Sequence, residues 1–127
     1  MKKTEQNLQI AICEYIKLAY PDVIFTSESS GVRLSISQAV MLKRTRSCKA
    51  LPDLWILEAK KGYHACLIEL KTEGKKIYKK NGDLKKEKHL GEQEQVQHRL
   101  RNKGFFCEFA VGFDEAKSIV DYYLKES

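Results

Sequence analysis

Asp53, Glu69 and Lys71 are of residue types that together can run a hydrolysis, and the chain between them tells how they meet. Leu54 to Glu58 and Tyr63 to Lys71 read as two strands. Lys60-Lys61-Gly62 joins them as a three-residue loop, its final glycine suited to the left-handed position of a bulged hairpin turn. Pairing Ala59 with Tyr63 sets Asp53 opposite Glu69. Side chains alternate along a strand with a period of two, so Glu69 and Lys71 share a face. The hairpin therefore predicts that two carboxylates and a lysine converge on one spot, with His64 on the opposite face and excluded as a catalytic base.

Two carboxylates opposed in a hairpin that is otherwise Leu-Trp-Ile-Leu on one strand and Cys-Leu-Ile on the other repel each other, and burial raises the cost. A divalent cation relieves both penalties. Ligands that are all oxygen suit a hard ion that keeps several waters, so magnesium is expected first and manganese as a substitute. Lys71 would stand beside the ion as a positive donor, placed to orient or deprotonate a water or to stabilise charge on a reacting phosphoryl group. Taken alone, Glu-x-Lys is an ordinary solvated ion pair on an edge strand. A Pro-Asp at the distance that the hairpin requires favours the site.

The remaining elements must frame that hairpin. Leu8, Ile12, Tyr15, Ile16 and Ala19 recur at spacings of three and four, predicting an amphipathic helix with Thr4 as N-cap and Pro21 as its stop; Glu5 falls on the apolar stripe in the first turn. Val23 to Thr26 reads as a short strand, Ser27 to Gly31 as a polar turn, and Ser37 to Leu42 as a short helix. Lys43, Arg44, Arg46 and Lys49 then form a basic loop. Residues 72–88 are Lys-rich with Glu73-Gly74 and Asn81-Gly82 turn signals, and are expected to be exposed or mobile. Leu90 to Lys103 predicts a helix ended by Gly104, with Val96 and Leu100 on one face. Phe105 to Val111 predicts a strand, and Asp114 the cap of a last helix carrying Ile119, Val120, Tyr123 and Leu124. The expected architecture is α/β, a small mixed sheet flanked by helices, in one domain over 1–127.

The chain has 127 residues and a formal net charge of +6, a size suited to one core. The excess is local: residues 41–53 carry four Lys or Arg against one acid, residues 72–103 carry ten against five, and residues 104–127 are net acidic. A basic patch is the footprint of a nucleic-acid partner, although a solvated Lys/Glu face gives the same count. No apolar run is long enough for a membrane span, and no secretory signal stands at the start, so a cytoplasmic protein is expected. Cys13, Cys48, Cys66 and Cys107 lack metal-ligand spacing and read as small hydrophobes; the three histidines at 64, 89 and 98 also lack it.

With those residues in place, Leu51-Pro52-Asp53-Leu54 followed by Ile68-Glu69-Leu70-Lys71 resembles the signature of PD-(D/E)xK nucleases, and the chain around it resembles the VRR-NUC subgroup found in phage and in structure-selective repair nucleases. Glu5, with Gln9 four residues on, is similar to the family's helix glutamate, and Ser30-Gly31-Val32 to its small-residue turn. Gln93, with Leu100 and Gly104 behind it, is similar to the helix after the catalytic strand, whose glutamine faces the site. The resemblance implies a restriction-endonuclease-like αβββαβ core. It implies a Mg2+-dependent deoxyribonuclease with Asp53, Glu69, Lys71 and Gln93 catalytic, and with Glu5, Asp53, Glu69 and the Leu70 carbonyl on the metal.

DNA contacts are expected from Lys43, Arg44, Arg46, Lys49, Lys75, Lys76, Lys79 and Lys80, reading DNA structure rather than sequence, with branched DNA a candidate. Stand-alone relatives of this size imply a homodimer. Two departures stand out. Ala50 occupies a position where the family often has Gly, and the basic insert between Lys71 and His89 is long. A nucleic-acid-binding module of the same fold without turnover is the alternative reading.

Overall fold

Leu8, Ile12 and Ile16, spaced by four, form the buried face of α1 (Thr4–Ala19) in the computed structural model, which describes residues 4–28 and 34–125. Pro21, which fixes its own φ and disfavours helix in the residue before it, stops α1. The expected Ser30-Gly31-Val32 turn lies outside the described residues. The chain continues through β1 (Phe25–Ser27), α2 (Ile36–Arg44), β2 (Leu54–Ile56), β3 (Cys66–Lys71), α3 (Lys88–Asn102), β4 (Phe106–Val111) and α4 (Gly112–Leu124). The four strands make one sheet in the order β1-β2-β3-β4, antiparallel except for β3 and β4, which are parallel and connected through α3. This is the mixed α/β arrangement that was expected.

The sheet has two differently dressed faces because β3 is buried along its whole length. Cys66, Ile68 and Leu70 join Leu54, Ile56 and the apolar stripes of α1 and α4 in the main core. The alternate residues Leu67, Glu69 and Lys71 face the other way, toward α3, where Leu90, Phe109 and Ile77 form a second, smaller cluster. A wholly apolar strand would bury both faces at no electrostatic cost, so the charged pair on the second face makes it the candidate for a functional site.

The hairpin keeps the expected register by a different route. Leu54 pairs with Ile68, Trp55 with Leu67 and Ile56 with Cys66, which carries Asp53 to the level of Glu69. The turn itself is shorter than predicted: Lys60 and Tyr63 exchange backbone hydrogen bonds around a two-residue Lys61-Gly62 turn, both residues at positive φ. That matches the turn family whose twist suits hairpins. An extra residue on the 57–59 side absorbs the shift of one, so Ala59 is not the partner of Tyr63.

Two further expectations are corrected. The last helix begins at Gly112 rather than behind an Asp114 cap; Gly112 adopts φ +85, and Glu115 Oε1 accepts from the Val111 N–H, satisfying a first-turn donor in place of a cap. Lys43 and Arg44 belong to the last turn of α2, where they complement the helix dipole, and only Arg46 and Lys49 lie in the loop. Residues 72–88 are mostly exposed, as expected, and carry structure of their own: Tyr78 and Leu84 bridge across the Asn81-Gly82 turn, and Ile77, 1% exposed, anchors the segment. One isoleucine in a lysine-rich stretch suffices because it docks on Leu90 and Phe109. Of the four cysteines, Cys66 and Cys107 are buried as expected, while Cys13 and Cys48 are half-buried.

Candidate active site

At the edge of the sheet where β2 begins and β3 ends, a cleft of about 230 Å³ is lined by Glu5, Glu28, Arg46, Ala50, Leu51, Asp53, Glu69, Lys71, His89 and Gln93. Four elements build it. The first turn of α1 supplies Glu5, the entry to β2 supplies Asp53, the end of β3 supplies Glu69 and Lys71, and α3 supplies His89 and Gln93 one helical turn apart.

Asp53 is 3% exposed and is held by the backbone: its Oδ2 accepts from the Leu70 N–H at 2.8 Å. Its own carbonyl accepts from the Glu28 N–H at 2.5 Å, which ties the start of β2 to the end of β1. Glu69, also 3% exposed, accepts at Oε2 from Gln93 Nε2 at 2.8 Å. Burial, then the Asp53 carboxylate and a hydrogen bond with it, push the Glu69 carboxyl well above the usual carboxylate range, with Lys71 pulling the other way. In the metal-free protein Glu69 is therefore the carboxyl that keeps its proton at neutral pH. Glu5 sits at the exposed rim, its carboxyl raised by partial desolvation and by Asp53, and lowered by Lys71, His89 and Lys75. Lys71, 8% exposed, thus acts electrostatically on both glutamates.

The donor set fits a hard divalent cation. Two facing, desolvated carboxyls at the base of a cleft carry oxygen ligands only, and their mutual repulsion is what a cation removes. Among the described residues no group of three or more His, Cys, Asp or Glu could hold a metal ion. A two-carboxylate hold with water completing the shell is the mode magnesium favours.

The expected residues divide clearly. Glu5, Asp53, Glu69, Lys71, Gln93 and Arg46 line one cleft, and Lys75 joins Glu5, Lys71 and Thr72 in a small pocket of their own. Lys49 instead reaches Glu92 at 3.5 Å, Lys43 and Arg44 lie on exposed α2, and Lys76, Lys79 and Lys80 lie on the exposed insert, none of them lining the cleft.

Two residues escaped the sequence reading. His89 precedes Gln93 by four on α3, a same-face spacing that pointed to the cleft, and its Nε2 lies 3.2 Å from Gln93 Nε2. Glu28 pairs with Arg46 across the opening. Nothing local singles Glu28 out, because its place follows from the register of a three-residue strand. The residue before Leu51-Pro52-Asp53 matters as well: Ala50 takes φ +86, a left-handed conformation that favours glycine, at the wall of the cleft.

No protein-family model matches the sequence, and neither does any curated protein. Solved structures do resemble it. One titled "VRR_NUC domain protein" superposes with a TM-score of 0.70 at 22% identity, over 96% of this chain and 88% of that one. Another titled "VRR_NUC domain" gives 0.56 at 15% identity, over 94% and 97%. At such identities the likeness carries the fold: the chain adopts the restriction-endonuclease-like α/β fold of VRR-NUC domains.

Proposed function

We propose that this protein is a metal-dependent DNA endonuclease that hydrolyses phosphodiester bonds at the Asp53–Glu69–Lys71 cleft. The observation that carries this reading is the sealed pair of carboxyls, Asp53 and Glu69, facing each other beside a buried lysine at the base of an open cleft. A structural role does not account for such a pair, since leucines would fill the space at lower cost.

Asp53 and Glu69 would hold magnesium, or manganese in its place, with the Leu70 carbonyl as a further oxygen and with Glu5 staying at the rim, where it acts on the site through its charge. When bound, the ion acidifies water and neutralises charge on the scissile phosphate. The chain's own residues do the rest. The Leu70 N–H fixes Asp53, and Gln93 fixes Glu69, so neither carboxylate has to reorganise as charge develops. Lys71 orients the attacking water and balances the negative charge that builds on the phosphate. Arg46 and Lys75, at the cleft and in the small pocket beside it, bind neighbouring phosphates.

Lys43, Arg44, Lys49, Lys76, Lys79 and Lys80 extend that positive surface along the duplex. Contacts of this type are insensitive to sequence, so DNA structure is selected, with branched substrates the first to try. A homodimer belongs to the same reading. α2 buries none of its residues and leaves Ile36, Val40 and Met41 exposed, apolar surface that a second copy would cover.

The test is cleavage of supercoiled plasmid and of a four-way junction with magnesium or with chelator, for the wild type and for Lys71→Ala and Asp53→Asn. Magnesium-dependent cleavage that falls at least 100-fold in both variants is expected. Cleavage that persists in both overturns the assignment, and tight DNA binding without any cleavage points to a binding module.

A further inference from the structure

α3 turns Leu90, Gln93 and Gln97 toward the sheet, while its apolar Val96 and Leu100 are only half-buried. Gln97 is 1% exposed. A leucine there would bury without penalty, whereas a buried amide costs free energy unless its donors and acceptor are all served.

The hydrogen bonds around the two glutamines are ordered. The exposed Arg101 is anchored by its Nε, which donates to the Cys107 carbonyl at 3.0 Å, and by Glu94, 3.9 Å from Nη1. Its Nη2 donates to Gln97 Oε1 at 2.8 Å. A guanidinium has no acceptor, so Gln97 must present its oxygen to Arg101 and its Nε2 elsewhere. On Gln93 the polarity is reversed: Nε2 meets Glu69 Oε2 and His89 Nε2, and Oε1 is turned away. Among the described residues, the two side-chain atoms left sealed from solvent without a partner are Gln93 Oε1 and Gln97 Nε2. One is an acceptor and the other a donor, on side chains one helical turn apart on the same face.

We propose that Gln97 is a positioning residue for the active site: its Nε2 serves Gln93 Oε1 through one interior water, and so aims the Gln93 amide at Glu69. Orientation passes from Arg101 to Gln97, by way of that water to Gln93, and from Gln93 to Glu69. Without Gln97 the Gln93 amide can flip, placing an oxygen against the Glu69 carboxylate. The inference rests on the nuclease reading for its effect on turnover, but not for the coupling between the two amides.

The experiment compares Gln97→Leu and Gln97→Glu with the wild type. Leucine removes the amide, and glutamate keeps the acceptor but loses the donor, so both break the link to Gln93. The expected result is a roughly 10-fold fall in kcat in both variants, KM for DNA within about twofold, and a Tm for Gln97→Leu equal to or above that of the wild type. A merely structural glutamine would not separate turnover from stability in this way. In the metal-free protein, hydrogen exchange at the 15N-labelled Gln93 side-chain amide should quicken at least 10-fold in both variants.

Turnover within twofold of wild type together with unchanged Gln93 exchange overturns the proposal, as does a kcat loss that merely follows a falling Tm. Should Gln97→Leu fail to fold, Gln97→Met supplies the same comparison. A wild-type protein that cleaves no DNA would strike the nuclease reading alone, and the amide exchange would still decide this one.

Discussion

Replacing Glu69 by glutamine should make the metal-free protein more stable, by an amount that grows with pH. In chelator the Glu69 carboxyl keeps its proton well above the carboxylate range because it is buried against Asp53. The unfolded chain releases that proton near the ordinary value of 4.5. The sign follows directly. For a carboxyl with a raised folded pKa, stability is fully present below the unfolded pKa and is lost as pH rises toward the folded one. The loss is about 1.4 kcal/mol per pH unit, so about 3 kcal/mol has gone by pH 7.

Glutamine mimics the protonated acid. Its oxygen can still accept from Gln93, its amide can donate to Asp53, and it has no proton to lose. The variant should therefore match the wild type near pH 4.5, exceed it by about 3 kcal/mol at pH 7, and melt roughly 10 °C higher there. Urea and thermal melts in EDTA at pH 5, 6, 7 and 8 read this directly, because all other titrating groups are common to both proteins. Magnesium at pH 7 should raise the wild-type Tm and leave the variant unmoved. A difference that does not grow with pH, or a wild type at least as stable as the variant at pH 8, would refute the claim that burial against Asp53 keeps Glu69 protonated.

Ala50→Gly relieves a left-handed φ of +86 and should stabilise the fold by about 1 kcal/mol, seen as a Tm rise of a few degrees, with cleavage retained. Asp121 joins α4 to α1 by accepting from Tyr15 and Tyr20, both at 2.6 Å, and from Lys117 at 3.0 Å. Desolvation raises its carboxyl, but those donors outweigh it and hold it down at about 2. Its contribution is thus present above pH 4 and lost as pH falls toward 2; Asp121→Asn should lower stability by about 1 kcal/mol at pH 7, a difference that fades in acid melts. Ile77→Ala should free the 72–88 segment, detected as protease cleavage within it while the core stays protected, since Ile77 is what docks that segment on Leu90 and Phe109.

The strand pair that carries Asp53 and Glu69 was legible because one local constraint, a hairpin register, reaches from Ala59 back to Asp53 and forward to Glu69. It survived an error in the turn, since the extra residue beside 57–59 compensated for the loop being one residue shorter. α1 and α4 were legible from 3.6-residue periodicity over many turns. What escaped depended on partners distant in sequence. Glu28 reaches the cleft only through the pairing of a three-residue strand. Ile77 is one apolar residue among lysines, and its burial is decided by Phe109 on β4. Gln93 was found through the resemblance, but Gln97 occupies the buried stripe of α3 where periodicity looks for apolar residues, so the helix was visible and Gln97 was not. The Asp114 cap failed because Gly112, free to take a positive φ, let the helix start directly from β4.

The central claim is that Asp53 and Glu69 jointly hold the divalent ion that the reaction needs. Manganese-soaked crystals of protein that cleaves DNA with manganese test it most directly, by anomalous difference density. The account predicts a peak bridging the Asp53 and Glu69 carboxylates beside Lys71, absent in crystals of Asp53→Asn. A peak elsewhere with this cleft empty, or an undiminished one in that variant, would contradict it.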